Sequence, residues 1–289
     1  MKRIIYSLYI DIPKNELDLF DSNILKKNEL PTNYITKDQF KKNYNKLVKC
    51  KQSYAKHLGV DFKMFEYDKS FISYQQDMKR KYPFLTAYNI VNFYKIHLLY
   101  KMAEKYDEIL YLDFDVIPMK NINFFDNWDL SKGIAVLSNN DKVKKLEEIT
   151  KSTQTIRSPT SKYYNAQALL VDKNLNPIHK VINTGIIGAN KEHLNRLNYF
   201  ENFDSNLKHM SKITKGHEMF PKKITNFFGW DNETLFAVKL SENNINIQWL
   251  DKKWHYFFDT QFFIPRDIIL CHTINKRFDI VWRAYENNI

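Results

Sequence analysis

The sequence predicts an α/β fold with a mostly parallel central sheet flanked by helices, in a single domain. Three observations predict it. Strand and helix patterns alternate through the first part of the chain, the order that gives parallel strands with helices on both faces. The apolar run from Glu108 to Ile117 carries two carboxylates, Asp113 and Asp115, one residue apart at a strand end. The 289 residues are 44% hydrophobic, enough for a large core, yet no stretch approaches the roughly 20 apolar residues of a membrane span.

Ile4 to Ile10 reads as the first strand. Thr36-x-x-Gln39 resembles a capping box opening a helix, in which Phe40, Tyr44, Leu47, Val48, Tyr54, Ala55 and Leu58 recur at helical spacing before Gly59 stops it. Val60 to Tyr67 is the second strand. A helix over about Leu85 to Tyr106 then leads into the strand that ends at Asp113 and Asp115. The second half offers strands at Gly133 to Leu137, Ala168 to Val171, Ile182 to Gly188, Ile245 to Leu250 and Asp267 to His272, and helices at Lys191 to Tyr199 and Asn232 to Leu240. The polar connection from Asn139 to Asn165, with Thr153, Thr155, Arg157, Ser158, Thr160 and Ser161, is either partly helical or a loop beside a site.

The net charge of +11 admits a nucleic acid, an anionic membrane surface or a phosphorylated substrate as partner. Its lysines are dispersed in short clusters, without a zinc or RNA-recognition signature, which argues against specific nucleic-acid binding. The basic-then-apolar start from Met1 to Ile10 is interrupted by Asp11 before a secretory segment is complete, so it reads as a strand. With only Cys50 and Cys271, a disulfide framework is not expected and a reducing, cytoplasmic setting is favoured.

Side chains alternate faces along a strand, so Asp113 and Asp115 should point to one side while Phe114 packs on the other. Two hard oxygen ligands then converge at a strand end, which suits Mg²⁺ or Mn²⁺ carrying a phosphate. The bland alternative is a strand that leaves the core through surface carboxylates. In parallel sheets, ligands bind beyond the carboxyl ends of the strands, where this pair lies.

The first strand, the helix with Phe93-Tyr94-Lys95-Ile96-His97, and Tyr111-Leu112-Asp113-Phe114-Asp115 together resemble the nucleotide-sugar half of glycosyltransferases of the GT-A (Rossmann-like) fold. Downstream, Val181-Ile182-Asn183-Thr184-Gly185-Ile186-Ile187 looks like the Asn-Ser-Gly strand of the glycogenin and galactosyltransferase group. Gly229-Trp230-Asp231-Asn232-Glu233 looks like its acidic segment, and Leu270-Cys271-His272 like its metal-binding histidine. Two departures stand out. After His272 the group has Gly and then Lys-Pro-Trp, where this chain reads Thr273-Ile274-Asn275-Lys276-Arg277-Phe278, and the group's Asp-Gln pair is Asp231-Asn232 here.

The resemblance implies a metal-dependent, retaining glycosyltransferase using a nucleotide-sugar donor, a UDP-sugar before others, with residues of about 1–120 binding the donor and about 121–289 the acceptor. Asp113, Asp115 and His272 would hold the metal, with Mn²⁺ preferred over Mg²⁺ because of the imidazole. Ser7, Tyr9 and Asp11 at the end of strand 1, with Lys95, Asp113, Gly185 and Lys276, would contact the donor, and Asp231, Glu233 and Asn183 would serve the reacting sugar. The plain alternatives are a buried strand histidine at His272, a solvated helix lysine at Lys95, a bulge at Gly185, a helix cap at Asp231 and core packing for Tyr9.

The acceptor would be a glycan, a glycoprotein or a lipid-linked sugar, with at most peripheral membrane association through the basic surface. Two rivals differ in kind. A haloacid-dehalogenase-like phosphohydrolase also uses Asp-x-Asp after an apolar strand, but on its first strand. A catalytically inactive sugar-nucleotide-binding module would instead use exposed aromatics such as Trp254, His255, Tyr256, Phe257 and Phe258.

Overall fold

The computed structural model describes residues 1–13, 32–145, 147–148, 158–176, 180–218, 220, 222–225 and 229–287. Strand β1 (Arg3–Leu8) is buried on both faces, as consecutive Ile4, Ile5 and Tyr6 require of a central strand. Helix α1 (Thr32–Leu58) starts upstream of the expected box, so Thr36 and Gln39 lie inside it and cap nothing; no Gly or Pro interrupts the turn before Thr36. Gly59, at φ +67°, ends it in the left-handed conformation open to glycine.

Strand β2 (Asp61–Phe65) is followed by α2 (Lys69–Lys81), a helix absent from the sequence reading. Asp68 caps it by accepting from the Phe71 amide at 2.9 Å, and Phe71, Gln75 and Met78 form its buried stripe. Helix α3 (Ala87–Ala103) begins at a reciprocal Thr86–Asn89 capping box and delivers the chain into β3 (Glu108–Leu112). Then come β4 (Val116–Pro118), α4 (Phe124–Asn127) and β5 (Ile134–Ser138).

Helix α5 (Ser158–Asp172) absorbs the segment Ala168 to Val171 that the sequence offers as a strand. A four-residue apolar run does not distinguish a strand from one buried helical turn, and here the turn continues a longer helix. Thr153, Thr155 and Arg157 of the polar connection fall outside the described residues. The remaining elements are β6 (Ile182–Asn190), α6 (Lys191–Leu197), α7 (Phe203–Ile213), α8 (Lys222–Thr225), α9 (Asn232–Glu242), β7 (Ile247–Leu250), β8 (Tyr256–Phe258), β9 (Leu270–Thr273) and α10 (Phe278–Glu286).

The central sheet has the order β2-β1-β3-β6-β5-β7, mostly parallel, with β6 alone running against its neighbours β3 and β5. Alternating side chains divide between two cores. Ile4, Tyr6, Ile109 and Tyr111 pack towards α3, α7 and α9, while Ile5, Leu110 and Leu112 pack towards Tyr54 and Ala55 of α1 and Phe124 of α4. A second sheet, β4-β9-β8, pairs Val116 with His272 and so carries the end of the chain back to the carboxyl end of β3.

Candidate functional site

Asp113 extends β3 by one ladder bond, its amide donating to Gly185 O at 2.7 Å, after which the chain turns, with Val116 N donating to Asp113 O at 3.0 Å. The two carboxylates therefore converge across a tight turn and not through the strand alternation expected. Phe114 does point away, into a core with its ring stacked on Tyr9 at 4.6 Å. Antiparallel pairing of β4 with β9 then sets His272 beside them, and Thr273 N donates to Asp115 O at 2.9 Å.

His272 Nε2 lies 3.3 Å from Asp115 Oδ1 and 3.8 Å from Asp113 Oδ2, and one ligand atom from each of the three residues lies within 4.8 Å of the others. Two carboxylate oxygens and one imidazole nitrogen, converging from two strand ends, fit a divalent cation of the Mn²⁺ or Mg²⁺ kind. Asp115 is 5% exposed, against the alternative of a strand leaving the core through surface carboxylates. Burial alone would raise its pKa, but the Lys276 ammonium and His272 outweigh it and hold the carboxyl well below the usual range.

Lys95 on α3 is buried, against the solvated alternative. Its Nζ lies 3.5 Å from Asp113 Oδ1 and 3.3 Å from Thr184 O. Tyr111 donates its hydroxyl to the same Asp113 oxygen, and Tyr6 donates to Lys95 O at 2.7 Å, tying α3 to β1 behind the site. Burial first, and then the Asp113 charge, push both phenols well above their ordinary pKa, so they remain donors.

Gly185 is next to the cluster for a steric reason. A Cβ there would stand 2.4 Å from His272 Cε1 and 2.7 Å from Nδ1, so the missing side chain admits the imidazole. The resemblance gives Gly185 a donor contact; in the structure the space a Cβ would fill is taken by the His272 ring. Asn183 Oδ1 accepts from Gly185 N at 2.9 Å, and its Nδ2 donates to Glu233 Oε1 at 3.1 Å.

Glu233 is clamped rather than free. Oε1 also accepts from Thr184 N at 2.8 Å and Thr184 Oγ1 at 3.2 Å, while Oε2 pairs with Lys162 of α5. Burial would raise the Glu233 pKa, yet Lys162 and Lys95 lower it below the ordinary value. Asp231 caps α9, accepting from Glu233 N at 3.0 Å and Thr234 N at 2.8 Å, with its carboxyl pushed up by burial.

The structure thus brings Asp113, Asp115, His272, Lys95, Gly185 and Lys276 together, with Asn183, Glu233 and Asp231 linked to them through β6 and α9. The end of strand 1 joins less directly. Ser7 is wholly buried with no hydrogen-bond partner for its hydroxyl among the described residues, and Asp11 pairs with Lys37 at 2.7 Å and Lys41 at 3.2 Å on α1. Trp254, His255 and Phe258 are buried and Tyr256 and Phe257 half-buried, so none of the five residues that the binding-module rival uses is fully exposed. The carboxylate pair follows the third strand, not the first as the phosphohydrolase rival requires.

Sequence reasoning passed over Lys51, whose buried Nζ donates to Phe114 O at 2.8 Å and Leu47 O at 3.2 Å, directly under the turn between the two aspartates. Its position on the apolar stripe of α1, four residues after Leu47 and four before Ala55, was the available signal. Lys162 carried no such signal.

No protein-family model matches the chain, and no curated protein matches it in sequence. Among solved structures, mouse xyloside xylosyltransferase 1 in its apo form superposes with a TM-score of 0.41 at 13% identity, covering 74% of this chain and 76% of that one. A glycosyltransferase involved in glycosylation of the major capsid of PBCV-1 gives 0.44 at 12% identity over 100% and 98% of the two chains. The apo bifunctional glycosyltransferase WbbM gives 0.49 at 11% identity over 99% of this chain and 49% of its own.

Proposed function

We propose that this protein is a metal-dependent glycosyltransferase that moves a sugar from a nucleoside-diphosphate donor, a UDP-sugar before others, to a glycan, glycoprotein or lipid-linked acceptor. The observation that carries the reading is the convergence of Asp113, Asp115 and His272 at the carboxyl end of β3, with buried Lys95 behind them. Glycosyl transfer builds negative charge on the departing phosphate as the sugar becomes oxocarbenium-like. A bound divalent cation supplies Lewis-acid neutralisation of that charge.

The chain's own residues divide the remaining work. Asp115 and His272 hold the cation, and Asp113 contacts it or the donor ribose. Lys276 exchanges its Asp115 partner for the diphosphate when donor enters. Lys95 fixes Asp113, and Glu233 fixes the Thr184–Gly185 backbone that backs His272. Retention is the outcome we favour, because Asp231 and Glu233, the carboxylates that would act as general base for inversion, are both engaged in other hydrogen bonds.

Residues of about 1–120 would then serve the donor and 121–289 the acceptor. Free, buried Cys50 and Cys271 fit a reducing compartment. No helix among the described residues is long and apolar enough to cross a membrane. Peripheral contact with lipid is supported by Phe262 and Phe263, 82% and 73% exposed, with the Arg277 guanidinium 5.7 Å from the Phe262 ring.

Thermal shift and donor hydrolysis test the reading together. UDP with Mn²⁺ should raise the melting temperature more than GDP, ADP or CMP does, by mass action on the folded state. Chelator should abolish hydrolysis of the UDP-sugar and Mn²⁺ restore it. Full activity in excess chelator would remove the assigned roles of Asp113, Asp115 and His272, whereas a preference for a GDP- or CMP-linked donor would remove only the UDP assignment.

A further inference from the structure

We propose that His255 is a positioning residue for metal binding, accepting a hydrogen bond from the far ring nitrogen of His272 and thereby holding His272 in the tautomer that offers Nε2 to a cation. The proposal rests on the reading of Asp113, Asp115 and His272 as the ligand set. His255 is 1% exposed, between β7 and β8, and its Nε2 lies 3.0 Å from His272 Nδ1. The two rings lie at 26° to one another, and Phe257 packs against both, at 4.9 Å from His255 and 5.4 Å from His272. The His255 backbone is fixed as well, its amide donating to Asp251 O at 3.1 Å.

A neutral imidazole has one N–H donor and one acceptor nitrogen. The side of His272 that faces Asp113 and Asp115 is Nε2. To ligate there, Nε2 must present its lone pair, so the proton of His272 belongs on Nδ1 and needs an acceptor. Metal-bound histidines usually find that acceptor in a carboxylate or a backbone carbonyl. Here it is a second imidazole, which orients the ligand without adding a third negative charge beside the two aspartates.

The same pair has a second, incompetent arrangement. If His255 carries its proton on Nε2 and donates to His272 Nδ1, the proton of His272 must sit on Nε2, where it faces Asp115 Oδ1 and blocks ligation. In the competent arrangement the proton of His255 sits on Nδ1, a buried atom with no hydrogen-bond partner among the described residues. Ligation by His272 and the tautomer of His255 are therefore one linked choice. The sequence reading had placed His255 in a run of exposed aromatics, so nothing in the order of residues pointed to this role.

The test is Mn²⁺ binding to the intact protein, followed by the electron paramagnetic resonance signal of free Mn²⁺, in wild type, His255→Leu and His255→Gln. Leu fills much of the space without an acceptor, and affinity should fall by about ten- to a hundredfold. The side-chain oxygen of Gln reaches about as far as Nε2 and should recover most of the loss. Undiminished affinity in His255→Leu, or equal losses in two folded variants, would overturn the proposal. If either variant fails to fold, imidazole ¹⁵N spectra of the Mg²⁺-loaded wild type decide: a proton on His272 Nδ1 supports the assignment, and a proton on Nε2 refutes it. Absence of both Mn²⁺ and Mg²⁺ binding in wild type would fell the metal reading itself, and this proposal with it.

Discussion

The Lys276 ammonium donates a hydrogen bond to Asp115 Oδ2 across 161 residues of sequence, while Oδ1 of the same carboxylate faces His272. One aspartate is thus shared between a built-in cation and the histidine beside it. Lys276 holds this position from a left-handed backbone, φ 58°, uncommon outside glycine and Asn or Asp. Its ammonium also lies 5.2 Å from the centre of the Phe40 ring.

Removing that ammonium should destabilise the metal-free protein and make it respond more strongly to metal. Lys276→Met leaves Asp115 buried beside Asp113 without its counter-charge, a change worth about 3 kcal/mol. Urea unfolding should show the loss in chelator and a larger Mn²⁺-induced recovery than in wild type. An equal or smaller Mn²⁺ response would mean that Lys276 does not compete for Asp115.

Glu233 gives a pH signature. Its folded-state pKa is lowered, so its contribution to stability is present above the unfolded value of about 4.3 and is lost as pH falls through the folded value. Glu233→Gln leaves Lys162 without a charged partner and should cost about 3 kcal/mol at neutral pH. The gap between the two proteins should narrow as pH falls below about 4, since wild type alone loses this term there. A gap that stays constant down to acid unfolding would show that the Glu233 charge is not what stabilises the fold.

Much of this architecture was legible because burial leaves a period in the sequence. β3 is apolar from Ile109 to Leu112, β1 and β6 carry the short apolar runs Ile4 to Tyr6 and Ile186-Ile187, and α3 carries Ile90, Phe93, Leu98 and Met102 on helical spacing, so the path to Asp113 and Asp115 could be followed residue by residue. Where local pattern was ambiguous, tertiary packing decided: Ala168 to Val171 joined α5, and Thr36 was overtaken by a helix that starts earlier. The site was legible in its ligands but not in their supports. Lys51, Lys162 and His255 act through long-range contacts whose partners lie 63, 71 and 17 residues away, and no local spacing encodes such pairings.

Gly185→Ala tests the steric relation between β6 and β9. The added methyl would meet the His272 ring and, at 3.0 Å, Asn183 Oδ1, so either the imidazole or the strand must move. Overpacking of this kind should cost about 1–3 kcal/mol. Mn²⁺ affinity should fall as well, because the displaced ring is the ligand. A variant that loses stability but binds Mn²⁺ as wild type does would show that the ring can shift without leaving its ligating position.

The two obvious changes at Asp115 should separate chemistry from folding. A carboxylate on the surface could be cut to alanine freely, but Asp115 is buried, paired with Lys276 and 3.3 Å from His272. Asp115→Ala should therefore lose stability along with activity, by about 3 kcal/mol, since it strands the Lys276 ammonium and opens a small void. Asp115→Asn keeps the shape and an oxygen for Lys276 while removing the charge that would hold a cation. Its melting temperature should stay nearer to wild type than that of the alanine variant, while donor hydrolysis falls at least about a hundredfold, the scale of losing one group that stabilises transition-state charge. Measured side by side, activity in Asp115→Asn above about a tenth of wild type would contradict the metal-holding role, whatever the alanine variant does.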